Sequence, residues 1–227
     1  SYAGGRPDLY LAGVDGGPWK AISRRPGLNT GAVISPTKVS IKGVDYGRLI
    51  ALSLSRDGNA EIYLIRPSGA VVKRLTNHWA IDSSPSWSPD GKHLAFVSSR
   101  GGSPQIYTME LETGALKRLT FKGRYNQTPA WSPRGDLIAF TGRDERNVFD
   151  LFTVHTQTLE VKRLTQAQGH NEEPSWAPNG RLIVFTSTRN GQRPRLFIMR
   201  EDGRQHRLLN PEIGEAFTPR WSGFLSR

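Results

Sequence analysis

Cysteine is absent from all 227 residues. That excludes disulfides, thiolate nucleophiles and cysteine metal centres, and it fits an oxidising compartment as well as a reducing one. No run of about 18 apolar residues occurs, so no membrane insertion is expected. The phosphate-cradling glycine loop, the H-E-x-x-H zinc pair, the EF-hand loop and the G-x-S-x-G nucleophile elbow are all missing. Five histidines, His78, His93, His155, His170 and His206, stand without ligand spacing. No catalytic residue, metal site or cofactor is therefore expected. A secretion signal is not visible either, but the chain opens inside a repeat, so little follows from that.

Acidic residues are outnumbered, 20 against 31 Lys and Arg, for a net charge of +11. Such an excess suits an anionic partner: nucleic acid, lipid headgroups or an acidic protein. Much of it, however, recurs at equivalent places: Lys73/Arg74, Lys117/Arg118, Lys162/Arg163 and Arg204/Arg207. These fall on the last strand of each repeat, where cations discourage edge-to-edge pairing. Aromatic residues do not interleave with them as a base-stacking surface requires, so no nucleic acid partner is expected.

What the chain does have is a repeat. A tryptophan turn appears at Trp87–Gly91, Trp131–Gly135 and Trp176–Gly180, and is degraded at Trp221-Ser-Gly223. Proline precedes each by two residues: Pro85, Pro129, Pro174 and Pro219. A basic residue followed by leucine ends the unit, with Leu75, Leu119, Leu164 and Leu208 spaced 44, 45 and 44 apart. A fixed period near 40–50 residues with several strands per unit marks a β-propeller. The tryptophans share one position, which predicts packing between blades.

One unit reads as four antiparallel strands: Ser84–Trp87, the apolar run His93–Ser98, the alternating Gln105–Met109 and the edge Ala115–Thr120. The fold class is therefore all-β, a propeller of four-stranded antiparallel blades forming one domain over 1–227. Its units are 31–76, 84–120, 128–165, 173–209, and 217–227 joined with 1–23. Five blades are visible, four whole and one assembled from both termini, which fits five blades or a six-bladed ring lacking about one. In the first whole unit the segment Thr37–Arg48 enlarges a turn, as a functional loop or a tolerated surface insertion.

The run from Ser84 to Tyr107, SPSWSPDGKHLAFVSSRGGSPQIY, resembles the PD40 (WD40-like) repeat of the TolB propeller family, the periplasmic part of the bacterial Tol–Pal envelope system. Leu54–Tyr63, Pro174–Gly180 and Phe217–Ser222 are similar to the same family. The resemblance implies a binding protein rather than an enzyme, periplasmic residence and a part in outer-membrane integrity, protein transport and cell division. It also implies the lipoprotein Pal as partner, with colicin-type mimics of that contact. The family's Pal face is built from loops leading into each first strand. Carried over by position, these are Leu28, Asn29 and Thr30; Asp82, Ser83 and Ser84; Asn126, Gln127 and Thr128; Asn171, Glu172 and Glu173; Phe217 and Thr218. His170 lies beside them. The family also carries an N-terminal α/β domain with no counterpart in these residues.

The competing reading is a propeller-type glycoside hydrolase or carbohydrate-binding propeller. Asp82, Glu172, Glu173 and Glu215 lie on such loops, and glycoside hydrolysis needs two carboxyls at a defined separation. A calcium ion near the same acids has no ligand pattern to support it.

Overall fold

The computed structural model describes residues 8–221 other than 14, 25, 192, 210, 211 and 213. Every regular element among them is a strand. Four antiparallel sheets of four strands carry the chain. The first is β3 (Asn29–Ile34), β6 (Ile50–Leu54), β7 (Glu61–Ile65) and β8 (Val71–Arg74). The second is β9 (Asp82–Trp87), β10 (His93–Ser98), β11 (Gln105–Glu110) and β12 (Leu116–Arg118). The third is β13 (Asn126–Trp131), β14 (Leu137–Arg143), β15 (Phe149–His155) and β16 (Val161–Arg163), and the fourth β17 (Asn171–Trp176), β18 (Leu182–Ser187), β19 (Arg195–Arg200) and β20 (Arg207–Leu208). These are four propeller blades. A fifth, two-stranded sheet pairs β1 (Leu9–Leu11) with β2 (Lys20–Ser23).

By contacts the chain forms two compact units, residues 1–103 with 108–117, and residues 104–107 with 118–227. Their boundary falls within the second blade. In the first unit, Ile50, Leu52, Leu54, Tyr63 and Ile65 form a core with Ile22, against which Leu9 and Leu11 pack. In the second, Trp176 joins Ala139, Leu151, Leu164, Ile183, Phe185, Phe197 and Met199. The central strands are mostly apolar because they are covered on both faces: all five residues of β6 and of β7 are buried, Ser53 and Glu61 among them.

The shared tryptophan position works as expected at two of its copies. Trp87 and Trp176 are each 7% exposed, and their indole N–H groups donate to the first strand of the preceding blade, at Val33 O and Ala130 O, both at 3.0 Å. Trp131 differs: it is half-buried and donates to Gly135 O in its own turn at 3.1 Å. Phe217–Trp221 is not a strand, contrary to expectation. A strand exists through its ladder, and among the described residues this segment has none; of the expected closing unit, residues 1–7 and 222–227 lie outside them, while Leu9–Leu11 and Lys20–Ser23 form β1 and β2. The enlarged turn is a hairpin of its own, β4 (Ser40–Ile41) with β5 (Val44–Asp45). Val39 and Ile41 are buried beneath it, and Lys42 N donates to Glu112 at 2.7 Å.

Each first strand carries a bulge at one position. The register shifts between Thr30 and Val33, and again between the partners of Ala95 and Val97, between Gln127 and Ala130, and between Glu172 and Ser175. The kinked residues Gly31, Ser84, Thr128 and Glu173 have φ of 65°, 54°, 48° and 57°. For the three with side chains this conformation is strained and persists because its surroundings enforce it. Ser84 N donates to Ser53 Oγ and Glu173 N to Thr141 Oγ1, both at 3.1 Å, each latching onto the preceding blade. Thr218 repeats the kink at φ 47°, although it lies outside any strand.

Arg74, Arg118 and Arg163 are half-buried, while Lys73, Lys117, Lys162 and, on the fourth blade, Arg207 are exposed. Arg74 pairs with Glu61 at 3.1 Å, and Arg163 pairs with Asp150 and, at 2.8 Å, with Asp144. Burial pushes the Asp144 carboxyl up, but the N–H groups of Val148 and Arg146 and the guanidinium groups of Arg146 and Arg163 outweigh it and hold it well below the usual range.

Replacing Trp176 with alanine is expected to cost about 3–5 kcal/mol, as a large-to-small core change. The same change at Trp131 should cost clearly less; equal losses in urea denaturation would contradict the two environments described above. A depressed carboxylate stabilises the fold above its unfolded pKa, about 3.9, and that stability is lost as pH falls toward the folded value. Asp144→Asn should therefore be less stable than the parent at pH 7 and lose less stability on acidification below about pH 4. Parallel pH–stability curves for the two proteins would overturn this.

Candidate functional site

The loops leading into the first strands are short and tied down. In the first unit, the segment after β8 is fixed by its neighbours. Glu61 accepts from His78 N at 2.6 Å, and Asn59 Nδ2 donates to His78 O at 2.9 Å and Ala80 O at 2.7 Å. Ala80 N returns to His78 Nδ1 at 3.1 Å, and Asp82 N bonds Ala60 O at 2.9 Å. Between these ties the chain turns Trp79 outward, 78% exposed, with the His78 ring 5.2 Å away and Ile81 also exposed. A large apolar side chain on a fixed backbone loses little entropy when a partner covers it.

In the second unit, Asn126 Nδ2 holds Lys122 O at 3.0 Å and Gln105 Nε2 holds Gly123 O at 3.0 Å, fixing the loop before β13. Phe121 projects from it under the Arg118 guanidinium, 4.9 Å from the ring centre. Tyr125, Phe149 and His170 form a row with ring separations of 6.0 and 5.7 Å. Arg143 lies 5.8 Å from the Tyr125 ring and 5.0 Å from that of Phe149. His170 is fixed by a reciprocal pair with Thr188 and receives Phe149 N at 3.3 Å.

The residues expected at this face divide into two groups. Leu28, Thr30, His170, Phe217 and Thr218 are exposed, while Ser83, Ser84, Gln127, Thr128, Glu172 and Glu173 are half-buried. Asn29, Asp82, Asn126 and Asn171 are not surface contacts. All four are buried, each at the first position of its strand, where a polar side chain finds partners inside the blade. Asn29 accepts from Ser23 Oγ at 2.7 Å; Asp82 pairs with Arg100 at 2.6 Å; Asn126 donates to Gln105 Oε1 at 2.9 Å and Asn171 to Asp150 Oδ1 at 3.1 Å. Missed altogether were Trp79, Ile81, Phe121, Tyr125, Arg143 and Phe149. For Trp79, Ile81, Phe121 and Tyr125 the signal was available: a large apolar residue between an edge strand and the next proline turn has no place on a pleated sheet; Arg143 and Phe149 stand within strands and carry no such signal.

The acids considered for hydrolysis are mostly engaged. Burial raises the Asp82 carboxyl, against hydrogen bonding from Ser98 and the charge of Arg100. Burial likewise raises Glu172, offset in part by His170 and reinforced by Glu173. Glu173 Oε2 accepts Thr218 N at 2.7 Å, and Glu215 sits 3.9 Å from Arg193 at an exposed position. Among the described residues no three His, Asp or Glu side chains cluster to hold a metal ion.

Residues 1–225 match the TolB beta propeller domain family. A TolB homolog of Chlorobium luteolum is 36% identical over 126 residues, 41% of this chain and 29% of that protein. The Tol-Pal system protein TolB of Francisella tularensis subsp. mediasiatica is 35% identical over 79 residues, 34% of this chain and 18% of its own. The crystal structure of TolB from Acinetobacter baumannii is 35% identical and superimposes with a TM-score of 0.81, covering 97% of this chain and 52% of that one. The chain thus spans under a third of these curated relatives and about half of the Acinetobacter protein. An oligogalacturonate lyase from Vibrio parahaemolyticus, 13% identical with a TM-score of 0.63 over 90% of this chain and 59% of its own, shares the fold alone. With its tryptophan turns, four-stranded blades and a family match along nearly its whole length, the chain belongs to the TolB β-propeller family.

Proposed function

We propose that this propeller is a non-enzymatic recognition module of the Tol–Pal envelope system, resident in the periplasm, and that its partner is the lipoprotein Pal. In this reading the loops leading into the first strands are the docking surface, and the module serves outer-membrane integrity and cell division. The observation that carries the reading is Trp79, held 78% exposed on a loop fixed from both sides. Exposed aromatics of this kind are the residues that dominate protein interfaces once covered. The polar residues expected around such an anchor are there too: Ser83 and Ser84 follow it, half-buried, as at a hydrogen-bonding rim. Family membership supports the same reading, since the Francisella relative is named as a Tol-Pal system protein.

Calorimetry with a soluble Pal domain from the same bacterium tests this at low and moderate salt. Saturable binding that survives moderate salt is expected. Trp79→Ala should weaken it by about 2 kcal/mol or more, roughly thirtyfold, with the melting temperature unchanged. A folded parent that does not bind would remove Pal as partner. Equal affinity in the variant would remove Trp79 as anchor.

A further inference from the structure

The third blade departs from its neighbours at two nearby positions, and a cavity opens there. Four residues after the second-strand phenylalanine, the second and fourth blades carry an arginine, Arg100 and Arg189, each reached from Phe96 and Phe185. Arg189 lies 5.1 Å from the Phe185 ring centre and 4.6 Å from that of Phe197, and it binds Ser187 Oγ at 2.9 Å and Asn171 Oδ1 at 2.7 Å. Arg100 does the same over Phe96 at 5.8 Å, binding Ser98 Oγ at 2.8 Å and Asp82 at 2.6 Å. The arginine therefore covers the blade's aromatic face and ties the end of the second strand to the start of the first.

In the third blade the equivalent of that arginine is Asp144, and the equivalent of the serine is Gly142. Asp144 cannot cover the rings. It turns into its own loop, accepting from Arg146 N at 2.8 Å and Val148 N at 2.9 Å. At Gly142 the Phe152 ring and Asn126 Oδ1 come within 2.9 Å of where a Cβ would stand, so no serine fits. Phe140 and Phe152 stack at 5.5 Å and 18°, approached by Arg163 from β16 but without an arginine from the loop after β14. A cavity of about 860 Å³ results, wholly within the second unit, with Phe121, Leu159 and Val161 as further apolar wall. This volume is in the range of small-molecule sites.

Its lining also carries exposed cations. Lys122, Arg124 and Arg143 are exposed along it, and none of them forms an ion pair among the described residues. Of the two acids present, Asp144 is neutralised by Arg146 and Arg163, and Glu145 is 75% exposed at 3.9 Å from Arg163. An apolar, ring-walled cleft with unpaired cations along it selects a ligand with a flat apolar body and an anionic end.

We propose that this cleft binds a compact aryl anion, an aromatic carboxylate or sulfonate, its ring against the half-buried Phe152 and the exposed Phe121 and its charge toward Lys122 and Arg124. The cleft shares the lead-in loop before β13 with the proposed Pal surface, but its assignment does not require Pal to be the partner, and the test below uses the chain without Pal. Nothing in it acts as a nucleophile or acid toward such a ligand; the assignment is to binding.

The probe is 8-anilinonaphthalene-1-sulfonate, followed by fluorescence with the parent chain, with 1-naphthoate and neutral 1-naphthol as competitors. Saturable binding at one site per chain is expected, displaced by 1-naphthoate. Lys122→Glu/Arg124→Glu, both exposed, should lose at least about tenfold affinity for the sulfonate and for 1-naphthoate, the scale of one lost charge-assisted contact, while 1-naphthol stays within about twofold. Val161→Trp fills the cleft from a strand position that tolerates an aromatic residue, and should abolish binding of all three. Unsaturable binding by the parent, or unchanged sulfonate affinity in the charge-reversed protein, overturns the proposal. Because that variant alters only exposed side chains, the test stands even if Val161→Trp fails to fold, which circular dichroism would reveal.

Discussion

In each of the first three blades one threonine hydroxyl holds the third strand, the fourth strand and the following loop together. Thr76, Thr120 and Thr165 accept the N–H of Ile62, Ile106 and Leu151, each at 2.9 Å. Each then gives its own proton to the residue one earlier on the same strand: Glu61 at 2.5 Å, Gln105 at 2.6 Å and Asp150 at 2.6 Å. All six side chains are buried. A buried polar group left unpaired costs its full desolvation, about 1–3 kcal/mol, so such a network stabilises only when it is complete. The chain completes it with the next segment: His78 N reaches Glu61, Asn126 reaches Gln105, and Asn171 reaches Asp150. The lead-in loops are therefore not free connectors. Their starting geometry is set by the satisfaction of a buried acceptor, and the exposed residues they carry inherit that rigidity.

Glu, Gln and Asp alternate at one position of this network because what is required is an acceptor oxygen, not a charge. Where it is charged, an arginine follows: Arg74 for Glu61 and Arg163 for Asp150. Where it is Gln105, Arg118 bonds Thr120 O at 2.7 Å and its guanidinium lies over Phe121. A buried carboxylate without a counter-charge is expensive, and the repeat carries the remedy in its Lys-Arg pair. The lysine of the pair keeps to the surface edge while the arginine serves the interior, so one dipeptide meets two constraints.

Much of this was legible in the sequence. The second strand His93–Ser98 has the bounds read from its apolar run, and the tryptophan turns locate the blades. Three things were not legible, for physical reasons. The burial of Asn126 and Asn171 was hidden because Gln105 and Asp150 lie 21 residues away; nothing local distinguishes a loop asparagine from a core one. The positive φ of Ser84, Thr128 and Glu173 was hidden because the strain is imposed by neighbouring strands and not announced by glycine, which stands only at Gly31. The half-buried state of Trp131 was hidden because the repeat motif predicts the same environment for all three tryptophans. What identical motifs share is backbone; what surrounds them is set by side chains elsewhere.

A repeat gives its own reference state, so its departures carry information that no single position does. Blade architecture tolerates a change where most of the network stays satisfied, and each departure here rearranges its partners, although Asp82 Oδ1 is left buried without one. At the start of β9, aspartate replaces asparagine and turns to Arg100 instead of the preceding blade; His78 N then donates to Glu61, the acceptor left vacant, and fixes the loop that exposes Trp79. After β14, aspartate replaces arginine, the loop closes on itself, and the Phe152 ring is left half-buried beside a cavity while Phe140 stays buried. Both changes are single charged residues, and both convert a structural position into exposed surface of defined chemistry. In a fold built by repetition, binding capacity arises where one copy stops serving its neighbour while the remaining hydrogen bonds still hold the backbone in place.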